Sequence, residues 1–253
     1  MFTKAIVRTP CRNLVNGLTS ANLELPDYNK AIEQHENYIK ALQLCELEVQ
    51  ILEADENYPD STFVEDTALL TPYCAVITNP GATTRKGETP YIKTVIEHYY
   101  SNIEFIKEPG TLEAGDVMMV GNHFYVGLSG RTNIEGAKQL IRILNSYSMS
   151  GSLVNVNDNL HLKSGVSYLE NNILLAAGEF LNEPEFSNFN IINIDDDECY
   201  AANSLWVNNT VLVPSGFPKA RDLIKTAGYK IIEVDVSEFQ KLDGGLSCLS
   251  LRF

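Results

Sequence analysis

Apolar and polar residues alternate along the chain in a way that predicts four β-hairpins. The hairpin segments are residues 67–81, 117–130, 166–178 and 204–216. Each segment holds two short apolar runs separated by turn-forming residues, and each ends at a glycine. The pattern therefore indicates pairs of short strands that recur along the chain.

Helical periodicity follows three of the hairpins, over residues 90–101, 133–148 and 219–228. A further short apolar strand follows each hairpin, at residues 103–108, 152–157, 190–195 and 230–236. The predicted unit is therefore ββαβ. In the third unit, residues 178–189 lack clear periodicity, and we expect them to be mostly loop.

A polar or charged residue precedes each hairpin, and the spacing of these residues indicates an internal repeat. Glu65 lies 48 residues before Glu113, which lies 48 residues before His161. The residues at this position of the unit are Glu65 and Asp66, Glu113, His161, Asn203 and Cys248.

The fifth unit is incomplete at Phe253, and the start of the chain offers what it lacks. A strand is predicted in residues 2–10, a long helix in residues 27–44 and a strand in residues 47–55. Closing the ring in this way predicts one domain, residues 1–253, built as a five-bladed α/β propeller with pseudo-fivefold symmetry. Equivalent positions would then face one axis and converge. The alternative is an ordinary α+β domain in which the same residues are scattered caps and turns.

Composition and charge narrow the range of partners. The chain has 253 residues, 44% of them hydrophobic, and 33 acidic against 19 basic residues give a net charge of −14. No Lys/Arg run could follow a phosphate backbone, so nucleic acid is not expected as a partner. With neither a signal-like start nor an apolar run of membrane-spanning length, we expect a cytoplasmic protein without a membrane partner.

The five cysteines are widely and irregularly spaced, so neither disulfides nor structural zinc is expected. We expect four of them to be small, buried apolar residues: Cys11, Cys45, Cys74 and Cys199. Cys248 differs because it follows Gly244-Gly245, which would let the backbone approach a ligand, and precedes the last strand.

The histidines divide in the same way. His35, His98 and His123 fit solvated or structural positions, whereas His161 occupies the repeated position, with Glu113 one unit earlier. A cysteine, a histidine and an orienting carboxylate brought together by the fold form a possible nucleophile and proton shuttle.

Clustered carboxylates complete the expected cleft: Glu65, Asp66, Asp60 and Glu113. With no glycine-rich phosphate loop and no obvious metal triad, neither metal nor cofactor is expected. A guanidinium offers planar, forked donors that carboxylates accept bidentately, so a guanidinium compound is the ligand predicted.

Seven motifs closely resemble the dimethylarginine dimethylaminohydrolase family of the guanidine-modifying superfamily, and they span the chain from first strand to last residue. They are AIVRTP (5–10), PDSTFVEDTALL (59–70), NPGATTRKGET (79–89), LEAGDV (112–117), GLSGRTN (127–133), HLKSGVS (161–167) and DGGLSCLSLRF (243–253). The resemblance implies the five-bladed propeller and a small-molecule substrate, methylated arginine, that is hydrolysed to citrulline and a methylamine. A homodimer is an additional guess.

The resemblance also implies the role of each site residue. Cys248 would be the nucleophile, His161 the general acid and base, and Glu113 its orienting partner. The substrate-binding residues would be Asp66 and Glu65 for the guanidinium, Asp60 and the Leu18 loop for the α-amino group, Arg85 and Arg131 for the α-carboxylate, and Phe63 in the pocket wall.

Two other functions stay open at this point. Related deiminases carry Asp two places after the catalytic His, where this chain has Lys163, and loss of that acceptor would leave room for an N-methyl group. An arginine or other guanidine deiminase is the alternative enzyme. A non-enzymatic binding protein that keeps the pocket is the alternative outside enzymes.

Overall fold

The computed structural model describes residues 1–253, and its strands form five separate three-stranded sheets, none of them closed. In chain order the strands are β1 (Lys4–Arg8), β2 (Glu48–Leu52), β3 (Ala68–Leu70), β4 (Ala75–Ile77), β5 (Ile103–Phe105), β6 (Val117–Val120), β7 (His123–Leu128), β8 (Ser150–Asn155), β9 (Val166–Tyr168), β10 (Ile173–Ala176), β11 (Asn190–Asn193), β12 (Leu205–Val207), β13 (Thr210–Pro214), β14 (Lys230–Val234) and β15 (Leu251–Arg252).

All five sheets share one topology. The first strand pairs antiparallel with the second, and the second pairs parallel with the third, as in β3-β4-β5, β6-β7-β8, β9-β10-β11 and β12-β13-β14. The fifth sheet has the order β15-β1-β2, so it joins the two ends of the chain. The predicted completion of the last unit by the first strand is therefore confirmed.

Helices connect the second and third strands of four units, as the periodicity predicted. The helices are α1 (Tyr28–Leu44), α2 (Thr89–Ile96), α3 (Ile134–Ser146), α4 (Leu162–Gly165), α5 (Pro218–Thr226) and α6 (Ser237–Gln240). Of these, α4 and α6 are single turns outside that pattern. In the third unit two 3-10 turns, Gly178–Asn182 and Pro184–Phe186, connect β10 to β11, so this stretch has no α-helix but consists largely of short 3-10 turns rather than loop. No helix is both long enough and apolar enough to cross a membrane.

The hairpin turns explain why these short strands pair in a fixed register. Val207 pairs with Thr210, which leaves Asn208 and Asn209 as a two-residue turn. Both have positive φ, 48° and 69°, as a type I′ turn requires. Asparagine tolerates this left-handed region better than other residues with a Cβ, so the Asn-Asn pair specifies the turn.

Packing of α1 links the start of the chain to its last turn. Tyr38 is fully buried in the largest apolar cluster, which also contains Phe63, Phe239 and Cys248. Its hydroxyl donates to the Leu246 carbonyl at 2.9 Å. Burying a large apolar side chain contributes about 1.5–3 kcal/mol, so this contact fixes the turn before Cys248 through the core.

The first strands of all five sheets line a cavity of about 140 Å³, represented by Leu69, Met118, Ser167, Leu205 and Leu251. A short turn precedes each of these strands. The turns are Val64–Thr67, Ala114–Asp116, Leu162–Gly165, Asp196–Ala202 and Ser247–Leu249. The residues at the repeated position of the sequence therefore lie in or beside equivalent turns.

Candidate active site

A second cavity, of about 170 Å³, brings together nine of the ten predicted site residues. They are Leu18, Asp60, Phe63, Asp66, Arg85, Glu113, Arg131, His161 and Cys248. The tenth, Glu65, does not line this cavity.

Cys248 lies in the short turn before β15 and is buried. Its Sγ accepts a hydrogen bond from the Gly245 N–H at 3.4 Å. Burial raises the pKa of the thiol to about 12, and the negative charges of Glu65 and Asp66 add to the effect. The sulfur is therefore a protonated thiol at neutral pH.

His161 and Glu113 form a buried pair in which the ring Nε2 donates to Glu113 Oε2 at 2.8 Å. Burial lowers the pKa of His161, but Asp66, Asp116 and Glu113 outweigh it and raise this pKa to about 9. Burial acts to raise the pKa of Glu113, but the hydrogen bond from His161 prevails and the pKa falls to about 2. At neutral pH the pair is an imidazolium and a carboxylate.

Gly115 leaves room between this pair and Asp66. A Cβ at Gly115 would lie 2.8 Å from His161 Nδ1 and 2.7 Å from Asp66 Oδ1. Any side chain here would therefore clash with both groups. The Gly115 N–H donates instead to Asp66 Oδ1 at 3.0 Å, which orients that carboxylate.

Arg85 is buried, and most of its donors are already bonded within the protein. Its Nη1 donates to Asp66 Oδ2 at 2.5 Å, and Nε and Nη2 donate to the two oxygens of Glu88 at 3.0 and 2.8 Å. Nη2 also donates to the Phe63 carbonyl at 2.9 Å. Because a guanidinium has five N–H groups, one N–H on Nη1 remains for a ligand. No pattern in the sequence distinguishes Glu88 from the other glutamates.

Glu65 lies on the other side of the turn from Asp66 and lines the neighbouring cavity between the first strands. Its Oε1 accepts from Lys163 at 2.7 Å and from Arg252 at 2.9 Å, and all three residues line the cavity between the first strands. Successive residues of a 3-10 turn are about 120° apart, so Glu65 and Asp66 leave the turn in different directions. The Lys163 ammonium likewise lies outside the Cys248 cavity.

The segment carrying Leu18 covers the cavity and is held by hydrogen bonds to both sides. The Leu18 N–H donates to Asp60 Oδ1 at 2.9 Å, and the Ser20 hydroxyl donates to Asp243 Oδ2 at the same distance. The Thr19 hydroxyl donates to the Lys241 carbonyl at 2.8 Å. Burial raises the pKa of Asp60.

Arg131 and Phe63 complete the cavity wall. The Arg131 side chain is 23% exposed, and its Nη1 lies 3.7 Å from Glu113 Oε1, too far for a short hydrogen bond. Phe63 packs edge-to-face on Phe239, with ring centroids 6.2 Å apart. A Cβ at Gly244 would lie 2.2 Å from the Phe63 ring, so this glycine admits an aromatic ring in addition to bordering the cavity.

Possible metal ligands in the site are already bonded to protein donors. Atoms of Asp66, Glu113 and His161 lie within 4.8 Å of one another. Asp66 is held by Gly115 and Arg85, however, and Glu113 is held by His161 and by the Ala82 N–H at 2.9 Å. A cation bound here would have to displace these donors.

The other cysteines lie outside the cavity. Cys11, Cys45 and Cys74 are buried, as predicted, whereas Cys199 is exposed and corrects the expectation that it is a buried hydrophobe. Cys199 lies among acidic residues of the Asp196–Ala202 turn, where the polar sequence favours solvent.

Comparison with known proteins shows the family of this chain. The model of the family described as "N,N dimethylarginine dimethylhydrolase, eukaryotic" matches residues 21–250. The chain is 56% identical to N(G),N(G)-dimethylarginine dimethylaminohydrolase of Pseudomonas aeruginosa over all of both chains. It is 34% identical to the enzyme of the same name from Streptomyces coelicolor, covering 98% of this chain and 96% of that one.

Solved structures give the same result. The structure matches the P. aeruginosa enzyme, a cysteine-to-serine mutant complexed with citrulline, with a TM-score of 0.99, 55% identity and full coverage of both chains. The N-terminal domain of the arginine dihydrolase ArgZ matches with a TM-score of 0.88 at 19% identity, which shows a shared fold.

The chain has an α/β fold of repeated hairpins, and one cavity contains a cysteine, a histidine–carboxylate pair and the carboxylate of Asp66. Together with the comparisons, these features define a member of the guanidine-modifying, or amidinotransferase, superfamily. Within that superfamily, the chain belongs to the dimethylarginine dimethylaminohydrolase family.

Proposed function

We propose that the protein hydrolyses Nω-methylated arginine to citrulline and methylamine or dimethylamine through a thiouronium on Cys248. The observation that carries this proposal is the single cavity in which Cys248, the His161–Glu113 pair and Asp66 meet. The high identity to a dimethylarginine dimethylaminohydrolase, and the citrulline bound in that relative, support the same reaction.

The substrate is held at both ends. Asp66 accepts from the guanidinium, and its position is fixed by Gly115 and Arg85. At the other end, Asp60 and the Leu18 segment receive the α-amino group. Arg131 provides most of the donors to the α-carboxylate, because Arg85 has only one N–H to spare. Phe63 lines the pocket between the two ends.

The first half of the reaction begins when the Cys248 thiol loses its proton to solvent water, because His161 already carries its own proton. Since neighbouring carboxylates hold the thiol pKa high, the positive guanidinium itself favours the thiolate on arrival. The thiolate adds to the guanidinium carbon, His161 gives its proton to the methylated nitrogen, and the C–N bond breaks. The products of this half are the free amine, neutral His161 and a thiouronium on Cys248.

The second half consumes water. Neutral His161 removes a proton from water, and the resulting hydroxide adds to the thiouronium carbon. Collapse of this intermediate breaks the C–S bond, which releases citrulline, the Cys248 thiolate and one further proton. Glu113 holds the ring through Nε2 in both halves, so Nδ1 is the nitrogen left for proton transfer.

The position of Lys163 favours methylated arginine over unmodified arginine as the substrate, and so favours this reaction over that of an arginine deiminase. The Lys163 side chain reaches Glu65 in the neighbouring cavity, so no acceptor from this position grips the guanidinium edge. Space for an N-methyl group on that edge supports methylated substrates.

Citrulline formation from monomethylarginine, dimethylarginine and arginine, measured with reductant present, tests the proposal. We expect kcat/KM to be at least about tenfold higher for one of the methylated substrates than for arginine, equivalent to about 1.4 kcal/mol in the transition state. Preference for arginine would make the protein a deiminase. Binding of methylarginine without any citrulline would make it a binding protein.

We further infer that residues 1–253 form one domain, a five-bladed α/β propeller. Support comes from the five sheets of identical topology, from their first strands around one cavity and from the pairing of β15 with β1. A cytoplasmic location and a homodimer stay predictions, and light scattering of the purified protein tests the second.

A further inference from the structure

One carboxylate behind the site, Asp116, has no assigned role. It ends the short turn that follows Glu113, within the motif LEAGDV, and it is completely buried. It does not line the Cys248 cavity. A buried carboxylate is costly unless several donors satisfy it, so its hydrogen bonds indicate what it does.

Both oxygens of Asp116 are bonded. Oδ1 accepts from the N–H of Leu162, the residue after His161, at 2.9 Å. Oδ2 accepts from the hydroxyls of Ser129 at 2.7 Å and Thr132 at 2.6 Å. The carboxylate therefore joins the chain beside His161 to the loop that carries Arg131.

The two hydroxyls pass the connection on to the site. Thr132 Oγ1 accepts from the Glu113 N–H at 3.2 Å. Ser129 Oγ accepts from the Arg131 N–H at 3.0 Å. Through at most two hydrogen bonds, Asp116 thus reaches the backbone of Glu113 and Arg131 and the residue next to His161.

The neighbouring strand β7 leaves space for this arrangement. A Cβ at Gly127 would lie 2.9 Å from Asp116 Oδ1 and 3.0 Å from the Leu162 Cβ. Glycine at this position lets the carboxylate and the Leu162 backbone approach β7.

We propose that Asp116 is a positioning residue for the reaction, which fixes Glu113, His161 and Arg131 relative to one another. Its negative charge also favours the charged form of the imidazole. This inference rests on the proposed function for its kinetic consequences. Three carboxylates act on His161, those of Asp66, Glu113 and Asp116. Asp116 is the one of the three that lies outside the substrate cavity.

Asp116→Asn tests the proposal, because asparagine keeps the size and one acceptor oxygen but removes the charge. We expect the pKa of His161, followed by NMR of its imidazole C–H signals, to fall by about one unit. The alkaline limb of kcat should move to lower pH by the same amount. An unchanged His161 pKa together with an unchanged pH profile would overturn the proposal.

Thr132→Val provides a second test that does not remove the charge, and it decides the question should Asp116→Asn fail to fold. It should lower kcat about tenfold, since a small displacement of Glu113 suffices for such a loss, while the His161 pKa stays in place. Thr132→Ser should restore kcat. Thr71→Val is the matched control, because Thr71 is also a buried threonine, bonded to the Cys74 carbonyl away from the site.

Equal kcat values for Thr132→Val and Thr71→Val would contradict the positioning role. A wild-type protein that forms no citrulline would instead refute the proposed function. The NMR titration would still decide whether Asp116 supports the charge of His161, so the two failures are distinguishable.

Discussion

The guanidinium of Arg85 forms most of its hydrogen bonds within the protein. The family resemblance implies a ligand of the substrate carboxylate, yet four of its five N–H groups bond within the protein. Its buried pairing with Glu88 and Asp66 also raises the pKa of the guanidinium against the effect of burial. These bonds fix Asp66 and leave one N–H of Arg85 without a partner in the protein.

Glu88→Gln tests this arrangement. Removing the charge that holds Arg85 should let the guanidinium shift and should misplace Asp66, because buried ion pairs depend on both partners. We expect KM for methylarginine to rise about tenfold, with a smaller change in kcat. Glu88 lies just before α2, and Glu97 is an exposed glutamate just after it, so Glu97→Gln is the control in steady-state assays. An unaltered KM in Glu88→Gln would mean that Arg85 needs no such support.

His35 provides a prediction on stability at acidic pH. It is buried in α1, and its Nε2 has no hydrogen-bond partner. Burial lowers its pKa from 6.5 to about 4, so the unfolded chain binds a proton at higher pH than the folded one. Stability from this group is therefore present above pH 6.5 and is lost as pH falls through about 4.

The corresponding change in unfolding free energy is at most about 3 kcal/mol. His35→Leu should flatten the fall in urea-unfolding free energy between pH 7 and pH 4, whereas His98→Leu, at an exposed position, should not. The same pH dependence in wild type and His35→Leu would show that other groups cause the acid sensitivity.

At the scale of elements, the caps of α1 and α3 differ in how much they hold. Asp27 caps α1 by accepting from the Lys30 N–H at 2.9 Å. Asn133 caps α3 by accepting from Gly136 at 2.8 Å, and it also accepts from the Thr111 N–H and donates to the Pro109 carbonyl. Asn133 therefore joins its helix to a neighbouring loop.

Replacement of each cap by alanine should separate these two roles. Asp27→Ala should cost about 1 kcal/mol in unfolding free energy, which is typical for an N-cap. Asn133→Ala should cost about 2 kcal/mol, because it removes two further hydrogen bonds. Chemical denaturation of both variants measures the difference. Equal losses would show that the loop contacts of Asn133 add nothing to stability.

Most elements could be predicted from the sequence because the short strands and helices carry their own periodicity. Residues 178–189 lack that periodicity in the sequence, and in the structure they form short 3-10 turns and no α-helix. The side of the turn occupied by Glu65 could not be predicted, because it depends on Lys163 and Arg252, which are distant in sequence.

In the whole molecule, the internal repeat predicted which residues would converge at the site. Asp66, Glu113, His161 and Cys248 meet because equivalent turns precede the first strands of equivalent sheets. The spacing of 48 residues revealed this equivalence, and the family motifs supplied the residues that lie outside the repeat. Glu88 and Asp116 were missed because their roles consist of hydrogen bonds to other site residues, which no spacing reveals.

The pKa values of Cys248 and His161 depend on the folded arrangement of several units. Both the high pKa of Cys248 and the raised pKa of His161 arise from carboxylates contributed by different units. These values correspond to a protonated thiol and an imidazolium at neutral pH, as the proposed activation of Cys248 by a cationic substrate requires.

Mass spectrometry of the protein quenched during turnover of a methylated arginine tests the covalent reaction most directly. We expect a thiouronium adduct on the peptide that contains Cys248, formed as the methylamine is released and lost as citrulline appears. Cys248→Ser should bind the substrate but show neither adduct nor citrulline. Steady citrulline formation by Cys248→Ser, or an adduct on another cysteine, would refute the proposed covalent mechanism.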